Sequence, residues 1–394
     1  MPSLSQRVGN LQESAIRKLD MVVRRQQGVS FHRLNIGQPD VPTPQPLLDA
    51  IRSFQPRVVA YGPASGLPEC KEAAAAYHSR WSPGLDGSHV AVTVGGSEAL
   101  LFAFTAVCDP GDDVIVPEPY YTNYNGFANV AGARVRPIRT RIEDGFAIPP
   151  DEVLDAAVGP RTRAVVFANP GNPTGAVYGK ADLERLLAWA ARRDLWVIAD
   201  EVYRRIWFEQ PPTSALEYEQ HRDRVIVVDS MSKTYSACGL RLGFFISRNA
   251  ALMEKVERLG QARLGVQPLA QHVGIAALQL PESYYEEVRL VYRERVTAMM
   301  DALAELPGVV APRPQGAFYS MVKLPVDDTE AFARFLVEGF RGDGESVVVA
   351  PGPGFYASPA DGRDEIRLAA VCEVPKIRRA VALLGQGIEA FRNR

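Results

Sequence analysis

The sequence predicts an α/β protein in two parts, a larger unit on a mostly parallel sheet between helices and a smaller α+β unit after it. Three observations carry this. From about residue 89 to residue 247, short apolar runs alternate with helical segments, the pattern of a parallel sheet covered on both faces. After about residue 285 the texture changes to a long charged helix, then strands and helices interleaved. Finally, 394 residues that are 46% hydrophobic and 23% charged suffice for two domains with a sizeable core.

The elements follow in chain order. Val8, Leu11, Ala15, Leu19, Val22 and Val23 recur at spacings of three and four, one apolar face of a helix made to dock. Five basic and two acidic residues fall in the first 28. Glu13 and Asp20 interrupt the basic face, which argues against a mitochondrial targeting helix. Segments 37–46 and 61–68 are rich in Pro and Gly and read as loops. Strands are predicted at 89–94, 113–116, 134–138, 163–168, 195–199, 224–229 and 242–247. The clearest intervening helix is 181–193, where Leu183, Leu186, Leu187 and Ala190 share a face. In the second part a helix is expected at 282–304, strands near 316–323, 346–350 and 365–371, and helices near 328–340 and 375–392. The expected division is 1–44 as an arm joined to the smaller unit, 45–285 as the large domain and 286–394 as the small one.

Composition excludes several classes. A net charge of −2 gives no basic excess for nucleic acid. No apolar run approaches the roughly 18 residues a membrane span needs, and the N-terminus shows no secretory apolar core. Cys70, Cys108, Cys238 and Cys372 lie far apart without a C-x-x-C pair, which reads as reduced thiols in a cytosolic protein. The five histidines form no metal-binding pair.

Four segments stand out: VTVGGSEA at 92–99, NPGNPTG at 169–175, DEVY at 200–203 and SMSKTYSACGLRLG at 230–243. Three of them lie where a predicted strand ends, the edge at which open α/β sheets bind ligands. The Ser230-x-x-Lys233 spacing also fits a serine hydrolase, but the accompanying S-D-N and K-T-G tripeptides are absent. Gly95-Gly96-Ser97-Glu98-Ala99 misses the hydrolase elbow at its last position, and Gly175 to Lys180 is one residue short of a P-loop. What remains is a lysine flanked by hydroxyls, an arginine eight residues on and an aspartate at a buried strand end. A Schiff-base chemistry needs a deprotonated lysine. A pyridoxal phosphate partner further needs phosphate donors, a carboxylate for its ring nitrogen and hydrogen-bond donors for its ring oxygen. Ser230, Arg241, Gly96 and Ser97 answer the first demand, Asp200 the second, and Asn172 with Tyr203 the third.

With these motifs in this order, the chain resembles the class I/II pyridoxal phosphate-dependent aminotransferases of fold type I, over about residues 30–390. The resemblance implies that Lys233 forms the Schiff base and shuttles the proton, and that Asp200 pairs with the pyridinium. It implies that Tyr203 and Asn172 bind the ring hydroxyl, and that Ser230, Arg241, Gly96 and Ser97 bind the phosphate. Tyr121 is expected to stack on the ring, ahead of Tyr120 and Tyr124. Tyr61, in YGPASGLPE, resembles the tyrosine that reaches the neighbouring subunit's phosphate, so a homodimer with shared sites is implied. Gly37 and Arg367 match the residues around the substrate carboxylate, with Arg367 as its bidentate clamp. The implied reaction moves an amino group from an L-amino acid, aspartate-like or other, to a 2-oxo acid, in the cytoplasm. An enzyme of the same fold performing elimination, decarboxylation, oxidation or carbon–carbon bond formation is the alternative. A sensor-type regulator is set aside because only about 30 residues precede the core. One departure is Leu264-Gly265-Val266-Gln267-Pro268, where relatives often carry a Ser/Thr-Pro pair near the phosphate. Arg263 and Gln38 are further candidates for the substrate pocket, and Cys238 reads as a small buried hydrophobe beside it.

Overall fold

The computed structural model describes residues 2–9, 11 and 15–394, without the side chains of residues 15 and 16. Twelve strands follow one another among the described residues: β1 Ser30–Arg33, β2 Val90–Thr93, β3 Asp113–Glu118, β4 Arg134–Arg139, β5 Thr162–Ala168, β6 Trp196–Asp200, β7 Val225–Ser230, β8 Gly243–Ile246, β9 Tyr319–Lys323, β10 Glu345–Val348, β11 Ala350–Pro351 and β12 Glu365–Ala369. Seven of them form one sheet in the order β2-β8-β7-β6-β5-β3-β4. From β4 through β7 neighbours pair in parallel, while β8 runs antiparallel to both β7 and β2. A second, antiparallel sheet is β11-β12-β9, and β1 pairs in parallel with β10.

Strand residues alternate between two apolar cores because successive side chains point to opposite faces. Val225 and Val227 meet Leu183, Leu186 and Leu187 of the helix Lys180–Arg192 on one face. Ile226 and Val228 join Ala99 and Ala103 of the helix Gly95–Val107 on the other. Both faces being dry explains why these strands read as continuous apolar runs. A third core gathers Met299 and Leu303 of the helix Glu282–Ala304, Leu336, and Leu384 of the helix Val374–Arg392. Leu19 and Val23 belong to this core, so the helix Ala15–Val23 docks against the C-terminal part of the chain.

The N-terminal helix differs from its expected form. Gln6–Gly9 is a separate short helix, and Val8 and Leu11 are exposed; Glu13 and the Ala15 side chain lie outside the described residues. Among the described residues of the expected apolar face, Leu19 and Val23 are the buried ones. The strand β1 was not expected. Its sequence SFHR carries polar ends that stay exposed, so it lacks the apolar alternation by which strands are read.

Candidate functional site

The carboxyl ends of β6 and β7 bring Asp200 and Ser230 to one edge of the sheet, and the N-terminus of the helix Gly95–Val107 arrives beside them. A cavity of about 400 Å³ opens there. Gly37, Gly96, Ser97, Tyr121, Asn172, Asp200, Tyr203, Ser230, Lys233, Arg241 and Arg367 all line it. Residues far apart in the chain are therefore gathered, and eleven of the twelve site residues read from the sequence line one cavity. Tyr61 does not line the cavity of its own chain; it is 87% exposed.

One end of the cavity is an anion cradle. Gly95 has φ +73°, and a Cβ there would lie 2.5 Å from Arg241 Nη2. Only glycine lets the guanidinium lie against the helix N-terminus. Val94, which precedes that helix, has no polar side chain with which to cap it, so the first N–H groups and the dipole are left to an anion. Gly96 neighbours Ser230, since a Cβ on it would lie 3.6 Å from the Ser230 Cβ. Guanidinium, hydroxyl and backbone N–H groups thus converge.

The other end holds a carboxyl with too little solvation. Asp200 is buried. Tyr124 donates its hydroxyl to Oδ2 at 3.1 Å, and the Val202 N–H reaches Oδ1 at 3.4 Å. Burial pushes its pKa up to about 7, and Asp229 pushes in the same direction, against the two hydrogen bonds and Lys233. A cation placed on its cavity side would restore ordinary ionisation.

The opposite wall comes from β9, β12 and the segment after β1. Arg367 is buried, donating through Nη2 to the Asn35 carbonyl at 2.7 Å and through Nη1 to Asn172 Oδ1 at 3.1 Å. Its Nε has no partner. A guanidinium only donates, so Asn172 must turn its oxygen to Arg367 and its Nδ2 elsewhere. The guanidinium lies over the rings of Tyr319 and Phe355, with centroids 4.5 and 4.8 Å away. Held in this way, the planar fork is set to take a carboxylate. Tyr203 and Tyr319 share a hydroxyl–hydroxyl bond of 3.0 Å, and burial raises the Tyr203 pKa well above 10. Tyr203 therefore remains a donor. Lys233 Nζ donates to the Gly37 carbonyl at 2.9 Å. A Cβ on Gly37 would overlap the Tyr319 hydroxyl at 1.7 Å, so no other residue fits this approach.

Several residues were missed or misplaced by sequence reasoning. Tyr319, Asn35, Ser232 and Arg17 line the cavity. Tyr319 sits in a run, GAFYSMV, that reads as ordinary strand core, and Arg17 on a helix read for its apolar face. Tyr124 stands behind Asp200 rather than over the cavity, whereas Tyr121 lines it. Gln38 also lines the cavity, but Arg263 does not. Arg263 instead pairs with Glu98 and donates to the Ala64 and Val92 carbonyls. Cys238, read as a buried hydrophobe, is half-buried, lines the cavity and donates its thiol to the Ser232 carbonyl.

Residues 30–384 match the family model described as aminotransferase class I and II. The chain is 33% identical over 371 residues to an aspartate aminotransferase of Streptomyces avermitilis, covering 89% of each. It is also 33% identical over 364 residues to an arginine–pyruvate transaminase of Pseudomonas aeruginosa, covering 91% of this chain and 90% of that one. Among solved structures, a single mutant of Thermus thermophilus aspartate aminotransferase superposes with a TM-score of 0.90 at 30% identity, over 98% of this chain and 100% of that one.

The Asp200 carboxyl gives a pH signature in the ligand-free protein. Its folded pKa of about 7 lies above that of an unfolded aspartate, so the folded state holds the proton more tightly. The stability this contributes is full below about pH 4 and is lost as pH rises toward 7. Asp200→Asn never ionises and escapes that loss. In urea unfolding of ligand-free protein, the stability of the variant relative to wild type should grow by on the order of 2 kcal/mol between pH 5 and pH 8. A pH-independent difference would contradict the burial argument.

Proposed function

The chain belongs to the class I and II aminotransferase family, and from that premise we propose that it transfers an amino group between an L-amino acid and a 2-oxo acid with pyridoxal 5′-phosphate as its resident cofactor. The single observation that carries the cofactor reading is the pairing of a built anion cradle with a buried acid that lacks a cation. Pyridoxal phosphate presents a phosphate and a protonated ring nitrogen, and both needs are met at once. Arg241, Ser230 and the N–H groups of Gly96 and Ser97 would hold the phosphate. Asp200 would hold the ring N–H, Asn172 Nδ2 and the Tyr203 hydroxyl the ring oxygen, and Tyr121 the ring face. When bound, the cofactor supplies a carbonyl that condenses with amines and a ring that withdraws electrons from the substrate Cα.

The chain's own residues do the rest. Arg367 binds the α-carboxylate through its unpartnered side and fixes the substrate's orientation. Lys233 then carries the Cα proton as general base and returns it as general acid. Its 2.9 Å bond to the Gly37 carbonyl holds the amine between Arg367 and the rest of the site. Asp200, ionised once a cation faces it, stabilises positive charge on the ring nitrogen throughout.

The proposed assembly is a homodimer with shared sites. Val58, Val59 and Tyr61 form one strongly exposed apolar stretch, 66%, 71% and 87% exposed. Arg263 ties Ala64, three residues further on, to Glu98, whose carboxylate accepts the Val94 N–H at the start of the helix Gly95–Val107. Tyr61 therefore projects from a loop anchored to the cradle, and in a two-fold dimer each chain would lend it to the other. A cytoplasmic setting accords with four unpaired cysteines. Among the described residues, no helix is long and apolar enough to cross a membrane.

Borohydride reduction followed by peptide mass mapping should find the cofactor adduct on Lys233. An adduct on another lysine would overturn the assignment. Lys233→Ala should retain cofactor while amino transfer falls by at least about 10³-fold, the range expected when a proton-shuttling group is removed. Light scattering at micromolar concentration should give a dimer, and Tyr61→Phe should weaken cofactor affinity several-fold without changing that mass. A fully active monomer would sink the shared-site proposal.

A further inference from the structure

On the far face of the parallel sheet stands a carboxyl that the proposed function does not use. Asp229 immediately precedes Ser230 on β7. Side chains alternate along a strand, so Asp229 points to the face on which Val225 and Val227 enter the apolar core. Its side chain is 14% exposed. A carboxylate is costly there, and an apolar residue would fill the place without that penalty. The chain nevertheless holds it. Oδ1 accepts the Ser230 N–H at 2.7 Å, and His78 Nε2 lies 3.3 Å from Oδ2. His78 is buried at the end of the helix Pro68–His78, its ring edge-on to Tyr77 and Trp81, and its Nδ1 has no hydrogen-bond partner. Among the described residues, Asp229 is the one acid within ion-pair distance of the imidazole.

Strand register brings this carboxyl behind Asp200. β6 and β7 are parallel neighbours with Asp200 opposite Val228, so Asp229 stands one step further along, on the other face. The other charged groups of this region have partners of their own: Glu201 pairs with Arg204, and Arg205 with Glu282. Tyr77 and Tyr235, which share the side of Asp229, stay neutral because burial raises both hydroxyls. Tyr124 and Lys233 act on Asp200 from its own side. Burial is the main reason that the Asp200 pKa is raised; Asp229 adds to it, while Tyr124 and Lys233 oppose it.

Resting on the aminotransferase reading, we propose that Asp229, held by His78 and the Ser230 N–H, is a second carboxylate of the ring-nitrogen site, a positioning residue that acts through Asp200 from behind the sheet. In a poorly screened interior, two carboxylates attract a cation more strongly than one, while each resists ionising beside the other. A protonated ring nitrogen gains from both. Asp229 adds this potential without competing for the ring N–H, because it does not line the cavity.

The test begins with cofactor-free protein. By carbon NMR the Asp200 carboxyl should titrate near pH 7 in the wild type. D229N should lower that midpoint by on the order of one pH unit, the effect of removing a nearby charge in a poorly screened interior. D229E keeps the charge and should restore most of the wild-type value. H78Q keeps a donor for Asp229 and should leave the midpoint in place or raise it. At pH 8, where Asp200 is largely ionised in either protein, D229N should bind pyridoxal phosphate several-fold more weakly relative to inorganic phosphate. A purely structural role, in which Asp229 only shapes the strand around Ser230, would weaken both ligands alike and leave the midpoint unmoved. An unchanged midpoint or an unchanged ratio of affinities in D229N, or a lowered midpoint in H78Q, overturns the proposal. If D229N does not fold, D229S carries the same expectations. A midpoint that shifts in a protein that binds no pyridoxal phosphate overturns the proposed function rather than the coupling of the two aspartates.

Discussion

The site is organised around a carboxyl group held where water cannot solvate it. Asp200 ends β6, near the middle of the seven-stranded sheet, with β5 on one side and β7 on the other. Two weak-to-moderate hydrogen bonds, from Tyr124 and the Val202 N–H, are all that face its oxygens among the described residues. A buried acid in this state either takes up a proton or waits for a cation. In the proposed reading the cofactor ring brings that cation, and the cradle of Arg241, Ser230 and the Gly95–Val107 helix N-terminus holds its phosphate and so positions the ring.

The opposite wall is tied to the first through a few bonds. Arg367 on β12 grips Asn172, which follows β5, and the Asn35 carbonyl, which follows β1. In the proposed reading one side chain thus sets the substrate's carboxylate clamp and orients a donor to the cofactor ring oxygen. Tyr319 on β9 supports Arg367 from below and bonds Tyr203 from the side. The C-terminal sheet therefore serves to position polar groups over a site whose chemistry is laid out by the parallel sheet.

Much of this was legible in the sequence, for identifiable reasons. Strands buried on both faces, such as RVIVVD, announce themselves as apolar runs, and their ends carried the motif residues Asp200 and Ser230. β1 was not legible, because a short strand with polar ends has no apolar period. Tyr319 was hidden because an aromatic within an apolar run is indistinguishable from core. The three tyrosines of PYYTNYN could be ranked only by resemblance; the structure separates Tyr124, bonded to Asp200, from Tyr121, which lines the cavity. Arg263 looked available to a substrate, yet Glu98, 165 residues away in sequence, holds it.

The most direct test of this account is a carbon NMR titration of the Asp200 side-chain carboxyl, assigned by its loss in Asp200→Asn. In the cofactor-free protein the resonance should titrate with a midpoint near pH 7. With pyridoxal phosphate bound it should remain that of a carboxylate from pH 5 to pH 9, because the ring N–H supplies the missing cation. A carboxyl already ionised at pH 5 without cofactor, or a midpoint that does not move on binding, would contradict the account.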